Sequence, residues 1–276
     1  MARRPAAHAR EPPPGAPALS APSPTTATPP PALPARGIGA HRGASQAFPE
    51  NTLAAFAEAV RLGAAMVELD LRRTADDHIV VLHDKRLERT TDGEGDVGEW
   101  TLARLRELDA GSHAGARFAG ERIPTLEEVL DWAPPDVWLN LQIKAREPLG
   151  QRVARALAAR GLEKGAFIAC GNSAARDAHT VNPGVPICAL ARQASRALYV
   201  DHAVRLGAHW IQLHHLRGLP EPELVERAHA AGLKVIYFAD PAAPAAAAAW
   251  AAGVDFLLVD DVAGALRAVP EAARIS

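Results

Sequence analysis

From Gly37 onward the chain switches repeatedly between two hydrophobic periods. In "MVELDL" (66–71), Val67, Leu69 and Leu71 fall on one face and Glu68 and Asp70 on the other, the period of two expected of a strand. "WLNLQIK" (138–144) does the same: Leu139, Leu141 and Ile143 point one way, and Asn140, Gln142 and Lys144 the other. Between such runs, apolar residues recur at helical spacing, which predicts helices over 51–64, 124–133, 150–161, 195–206, 221–233, 243–252 and 262–269. Eight runs read as core strands: "GIGAHRG", "MVELDL", "VWLNLQIK", "AFIACG", "PICAL", "HWIQLHHL", "KVIYFAD" and "VDFLLVDD". No helix is assigned between "AFIACG" and "PICAL". Alternation of this number predicts an α/β fold, a closed parallel (β/α)8 barrel of the TIM type. "HIVVLHD" (78–84) is an extra strand opening a small insertion after the second barrel strand, over about 76–120, polar and glycine-rich apart from "TLARLRELDA". The rival is an open doubly wound sheet. It is weakened because no glycine-rich phosphate loop opens a helix after the first strand.

Composition narrows the picture. A chain of 276 residues, 48% apolar, suits one such barrel with a large core. A net charge of −2 argues against binding nucleic acid or an anionic membrane by bulk electrostatics. Two cysteines, Cys170 and Cys188, do not make a disulfide scaffold, and a reducing compartment suits them; the expected location is the cytoplasm. No run of about 18 apolar residues occurs, so no membrane span is expected. Residues 1–36 hold 11 of the 23 prolines and few large apolar side chains, which predicts a disordered tail before a barrel domain spanning 37–270. Arg3 and Arg4 are followed by no apolar stretch of the kind an export signal requires.

Barrel active sites form where strands run into loops, at the carboxyl ends. His41 and Arg42 end the first strand, and His83 and Asp84 end the extra one. Glu68 and Asp70 share an inward face, where two carboxylates repel unless a cation lies between them. Oxygen-only ligands suit a hard ion, Mg²⁺ or Ca²⁺, better than zinc. Gln142 and Lys144 end the third barrel strand; Gln212 and His214 share a face near another strand end, and Asp260 ends the last. Singly, each residue has an ordinary reading. Asn51 caps a helix that Glu50 precedes, Lys144 is a surface lysine, and either histidine is a hydrogen-bonded strand end. Their joint placement at successive strand ends makes them a site.

The stretch "AHRGASQAFPENTLAAFAEAVRLGAAMVELDLRRTADDHIVVLHDKRLERTTDG" (40–93) resembles the opening of the glycerophosphodiester phosphodiesterase family. Its HRG, PENT, ELD and HD elements occur in order, and "IPTLEEVL" (123–130) is similar as well. The resemblance is strong over 37–144 and thins out towards Asp261. It implies a (β/α) barrel with a small insertion and metal-dependent hydrolysis of a small-molecule glycerophosphodiester to an alcohol and glycerol 3-phosphate, by way of a cyclic phosphate. It also implies His41 and His83 as acid and base, Arg42, Lys144 and Glu50 on the substrate, and a divalent cation, Mg²⁺ or Ca²⁺, on Glu68, Asp70 and residue 142. One position departs from the pattern. Relatives end the third strand in carboxylate–x–lysine, with the carboxylate on the metal; here Lys144 is kept and Gln142 replaces the carboxylate. An amide oxygen also binds hard cations, but without the charge. Two alternatives remain: phospholipase-D-like action on lysolipids, which would want a large exposed apolar mouth, and a non-catalytic phosphate-binding barrel. Oligomeric state is not legible.

Overall fold

The computed structural model describes residues 33–144, 147–239 and 243–269. In chain order the elements are β1 (Gly37–Ala40), α1 (Leu53–Leu62), β2 (Met66–Arg73), β3 (Ile79–Val81), α2 (Leu102–Leu105), α3 (Leu126–Trp132), β4 (Trp138–Ile143), α4 (Gly150–Ala158) and β5 (Ala166–Cys170). There follow α5 (Asn172–Val181), β6 (Ile187–Ala189), α6 (Arg196–Leu206), β7 (Trp210–His214), α7 (Pro222–Ala230), β8 (Lys234–Phe238), α8 (Ala243–Ala251), β9 (Phe256–Val259) and α9 (Val262–Ala268).

Among the described residues, eight parallel strands close on themselves, because Ala40 of β1 lies beside both Val259 of β9 and Val67 of β2. The predicted TIM barrel is therefore observed. β3 is the extra strand; it runs antiparallel to the end of β2, with Leu71 opposite Val81. The outward faces of the strands, Val67, Leu69 and Leu71 among them, pack under the helices in the main core. The inward faces split into two levels. The lower one is an apolar plug of Met66, Phe167, Trp210 and Phe256. The insertion has its own small core around Val80, Leu87, Val97 and Leu105.

Local chemistry sets the helix ends. Thr125 Oγ1 accepts from the Glu128 N–H while the Glu128 carboxylate accepts from the Thr125 N–H, a reciprocal cap that starts α3. Gly63, at φ +98°, ends α1 in the left-handed region that a side chain disfavours. Two expectations are corrected. The cap of α1 is Thr52, whose Oγ1 accepts from the Ala55 N–H, and not Asn51, which stands at φ +59° with its side chain turned elsewhere. A helix, α5, separates "AFIACG" from "PICAL". Its buried face is Ala174, Ala175 and Ala178, residues too small to raise a hydrophobic period above the background.

The expected tail lies, apart from residues 33–36, outside the described residues. Residues 34–36 are tied to the barrel. Trp138 Nε1 donates to the Pro34 carbonyl at 2.9 Å, and Lys234 Nζ to that of Ala35 at 3.0 Å. Arg36 donates to the Val254 and Trp250 carbonyls, with its guanidinium 4.0 Å from the Trp250 ring centre. Cys170 and Cys188 are buried free thiols, and burial pushes Cys170 up to about 12. Among the described residues, no helix is long and apolar enough to cross a membrane.

Candidate active site

His41, Arg42, Glu50, Glu68, Asp70, His83, Gln142 and Lys144, the residues that the resemblance assigns to the site, gather around the carboxyl ends of β1, β2, β3 and β4. Register explains half of this. β2 and β4 pair with Glu68 beside Asn140 and Asp70 beside Gln142, so their polar residues face inward in rows. Both carboxylates are buried, Glu68 at 1% and Asp70 at 0% exposure.

Each buried carboxylate is compensated. The Arg42 N–H donates to Glu68 Oε2 at 2.9 Å, a contact made possible by Arg42's left-handed backbone at φ +58°. Asn51 Nδ2 donates to Asp70 Oδ2 at 2.9 Å, and the Asp70 N–H returns a bond to Asn51 Oδ1 at 3.2 Å. Lys144 Nζ lies 3.2 Å from Asp70 Oδ1, and Arg42 Nε 3.3 Å from Asp70 Oδ2. The two carboxylates consequently diverge. Burial, and then the Asp70 charge, push Glu68 up to about 7. Burial would raise Asp70 as well, but Lys144 and Arg42 hold it below the usual carboxylate range.

Gln142 lies between the pair. One terminal atom of its amide is 3.1 Å from Glu68 Oε1 and 3.0 Å from Asp70 Oδ1. With the nitrogen there, the amide donates to both carboxylates. With the oxygen there, it faces carboxylate oxygens alone.

Both histidines are held by their Nδ1 atoms. His41 Nδ1 is 2.7 Å from Asp260 Oδ1, and His83 Nδ1 is 2.6 Å from Asp84 Oδ1. That leaves each Nε2 available to a substrate, and His41 Nε2 stands 4.0 Å from Glu68 Oε2. The His83 backbone is fixed by Arg72, whose Nε and Nη2 donate to its carbonyl at 2.9 and 2.6 Å. Burial works against a charge on His41, yet the Asp260 bond and Glu68 raise its pKa above that of a free imidazole. For His83 burial prevails and the pKa is lowered.

Glu50 is engaged by two arginines. Arg42 Nη1 donates to it at 3.0 Å, and Arg89 grips both its oxygens at 2.7 Å. Arg89 also pairs with Asp84, so the insertion is linked to both the Glu50 loop and the partner of His83. Arg89 and Asn51 stand outside the site as read from sequence, and Asp84 is read there only as a strand end beside His83. From sequence Asn51 reads as a helix start, which hides its bonds to Asp70. Between the histidines lies a cavity of about 210 Å³ lined also by Gln142, Lys144, Gln193 and His214. It shares His41, Arg42 and Phe238 with a more open one of about 460 Å³ that reaches Ser45 and Glu50.

A closed barrel with two carboxylate-held imidazoles and two cations around one cavity belongs to the class of barrel hydrolases suited to anionic esters. Comparison with known proteins narrows that class. Residues 41–158 match the glycerophosphoryl diester phosphodiesterase family. A glycerophosphodiester phosphodiesterase from Caldanaerobacter subterraneus subsp. tengcongensis is 37% identical over 228 residues, 80% of this chain and 93% of that one. A solved glycerophosphodiester phosphodiesterase from Agrobacterium tumefaciens superposes with a TM-score of 0.70 at 27% identity, covering 83% of this chain and 99% of that one. An Oleispira antarctica phosphodiesterase, solved with its product sn-glycerol-3-phosphate, gives a TM-score of 0.72 at 28% identity over 84% of this chain and 96% of that one. The chain belongs to the glycerophosphodiester phosphodiesterase family, and is a phosphoric diester hydrolase.

Proposed function

We propose that the enzyme splits small water-soluble glycerophosphodiesters into an alcohol and glycerol 3-phosphate, with a divalent cation bound by Glu68, Asp70 and Gln142. The observation that carries the reading is the matched pair of histidines, each with Nδ1 engaged by a carboxylate and Nε2 left free. The residues fit a hard cation. Glu68, Asp70 and the Gln142 amide offer oxygen donors on one inward face, with the amide oxygen as the third donor. Turned inward, it sits 3.0–3.1 Å from the carboxylate oxygens.

When bound, the cation would polarise the phosphoryl oxygens. Arg42 and Lys144 hold the phosphate anion, and Glu50 fixes Arg42 from behind. His83, its pKa lowered by burial, takes the proton of the glycerol 2-hydroxyl as that oxygen bonds to phosphorus. His41, its pKa raised, gives its proton to the departing alcohol oxygen as the old P–O bond breaks. A cyclic glycerol phosphate remains. Water then opens it with the two roles exchanged, and glycerol 3-phosphate leaves.

The insertion supports a small substrate over a lysolipid. Leu105 and Phe118 are buried, and Trp100, Leu102 and Leu108 pack on the insertion's own core, so these side chains build no open apolar mouth. Release of glycerol 3-phosphate from glycerophosphocholine, followed in EDTA and in Mg²⁺, Ca²⁺ and Mn²⁺, tests the reading. Release that requires a cation is expected. Release from lysophosphatidylcholine alone would overturn the substrate, and release undiminished in EDTA would overturn the metal.

A further inference from the structure

An amide at position 142, where a carboxylate would be a third anion, changes what the site can do when it holds no metal. The two buried carboxylates, Glu68 and Asp70, are met by fixed groups: the Arg42 N–H donates to Glu68, and Arg42 Nε and Lys144 Nζ lie against Asp70. A glutamate at 142 would set a third carboxylate beside the buried Glu68 and Asp70, an arrangement that costs heavily unless a cation neutralises it. The amide avoids this in a particular way. Its terminal atom lies between Glu68 Oε1 at 3.1 Å and Asp70 Oδ1 at 3.0 Å, so an inward Nε2 directs one N–H to each carboxylate. An inward Oε1, in contrast, is a third ligand for a hard cation.

We infer that the Gln142 amide is a two-position switch. Nε2 points inward and bridges Glu68 and Asp70 in the metal-free protein, and a half-turn of the amide brings Oε1 inward when a divalent cation enters. The inference rests on the metal reading above and extends it. The cation displaces two hydrogen bonds and gains a neutral ligand rather than an anionic one, so it is held weakly and exchanges readily. Asp70 helps to hold the switch in place. Asn51 and Lys144 fix its carboxylate, so the two amide positions work against a stationary partner.

The test uses the full chain, stripped with EDTA or titrated with Mg²⁺ and Ca²⁺, in wild type, Gln142→Glu and Gln142→Met. Thermal unfolding and calorimetric titration are read out, not turnover. The stripped wild type is expected to melt above both variants. Gln142→Glu is expected to bind cation at least about tenfold more tightly, because ligand charge tunes such affinities, and to gain the largest rise in melting temperature on loading. Gln142→Met has no useful donor or ligand oxygen, and should lose metal-free stability and bind more weakly than wild type. A stripped Gln142→Glu protein as stable as wild type, or one binding no more tightly, overturns the switch. So does a methionine variant matching wild type in both measurements, or a wild type that binds neither ion. If cation binding follows the expected pattern while glycerophosphocholine stays intact, the substrate reading fails and the switch stands.

Discussion

The lower and upper levels of the barrel interior are built on the same strands from opposite materials. Along β2 the inward residues run Met66, Glu68, Asp70, a climb of about 13 Å at roughly 3.3 Å per residue. At the bottom, Phe167 stacks on Trp210 with ring centres 4.5 Å apart, and Trp210 meets Phe256 at 5.6 Å. That level is satisfied by shape, and any close-packed apolar set of the right volume would serve. At the top, the reactive groups are held by specific partners: Asp70 by Asn51 and Lys144, His41 by Asp260, His83 by Asp84. Stability is concentrated in the first level and chemistry in the second. The displaced acidity of Glu68 marks where the fold tolerates an electrostatic burden.

Substitutions at each level should fail differently. His83→Ala is expected to lower turnover by about 10²–10⁴-fold, the usual contribution of a general base, with little change in melting temperature because the side chain is only half-buried. Product release and a thermal melt together check this. Equal losses in both would mean that His83 is structural. Trp210→Ala should show the reverse signature. Chemical denaturation is expected to lose about 3–5 kcal/mol, while the protein that remains folded keeps KM and kcat close to wild type. A large KM change without lost stability would erase the contrast between levels.

The smallest effect sharpens the upper level itself. The Asp260 bond raises the pKa of His41, so Asp260→Asn lowers it. If His41 must be protonated to donate, less of it is competent at a given alkaline pH, and the alkaline limb of the rate profile moves to lower pH. An unmoved limb, or movement of the acid limb alone, would assign the donor role to another group.

Legibility followed the range of the interactions. Period-two runs such as "MVELDL" revealed their strands and inward faces because alternation is a local property. α5 was missed because alanines form its buried face. The ordinary reading of Asn51 as a cap fails because its partner, Asp70, lies on another element. Asp260 was noted as a strand end, but its bond to His41 spans 219 positions, and no local pattern encodes it. Arg89 reaches Glu50 across 39 positions and turns the insertion into part of the site's support.

By itself the sequence determined the alternation of elements, the inward placement of Glu68, Asp70 and Gln142, and the family to which these motifs point, because each is written within a few adjacent residues. Barrel closure through β1 and β9, the carboxylate that holds each histidine, and the placing of the Gln142 amide between two buried anions were decided by the tertiary structure alone. Strand register, backbone twist and burial set those distances, and only the folded chain brings the groups near enough for hydrogen bonds and charge to act.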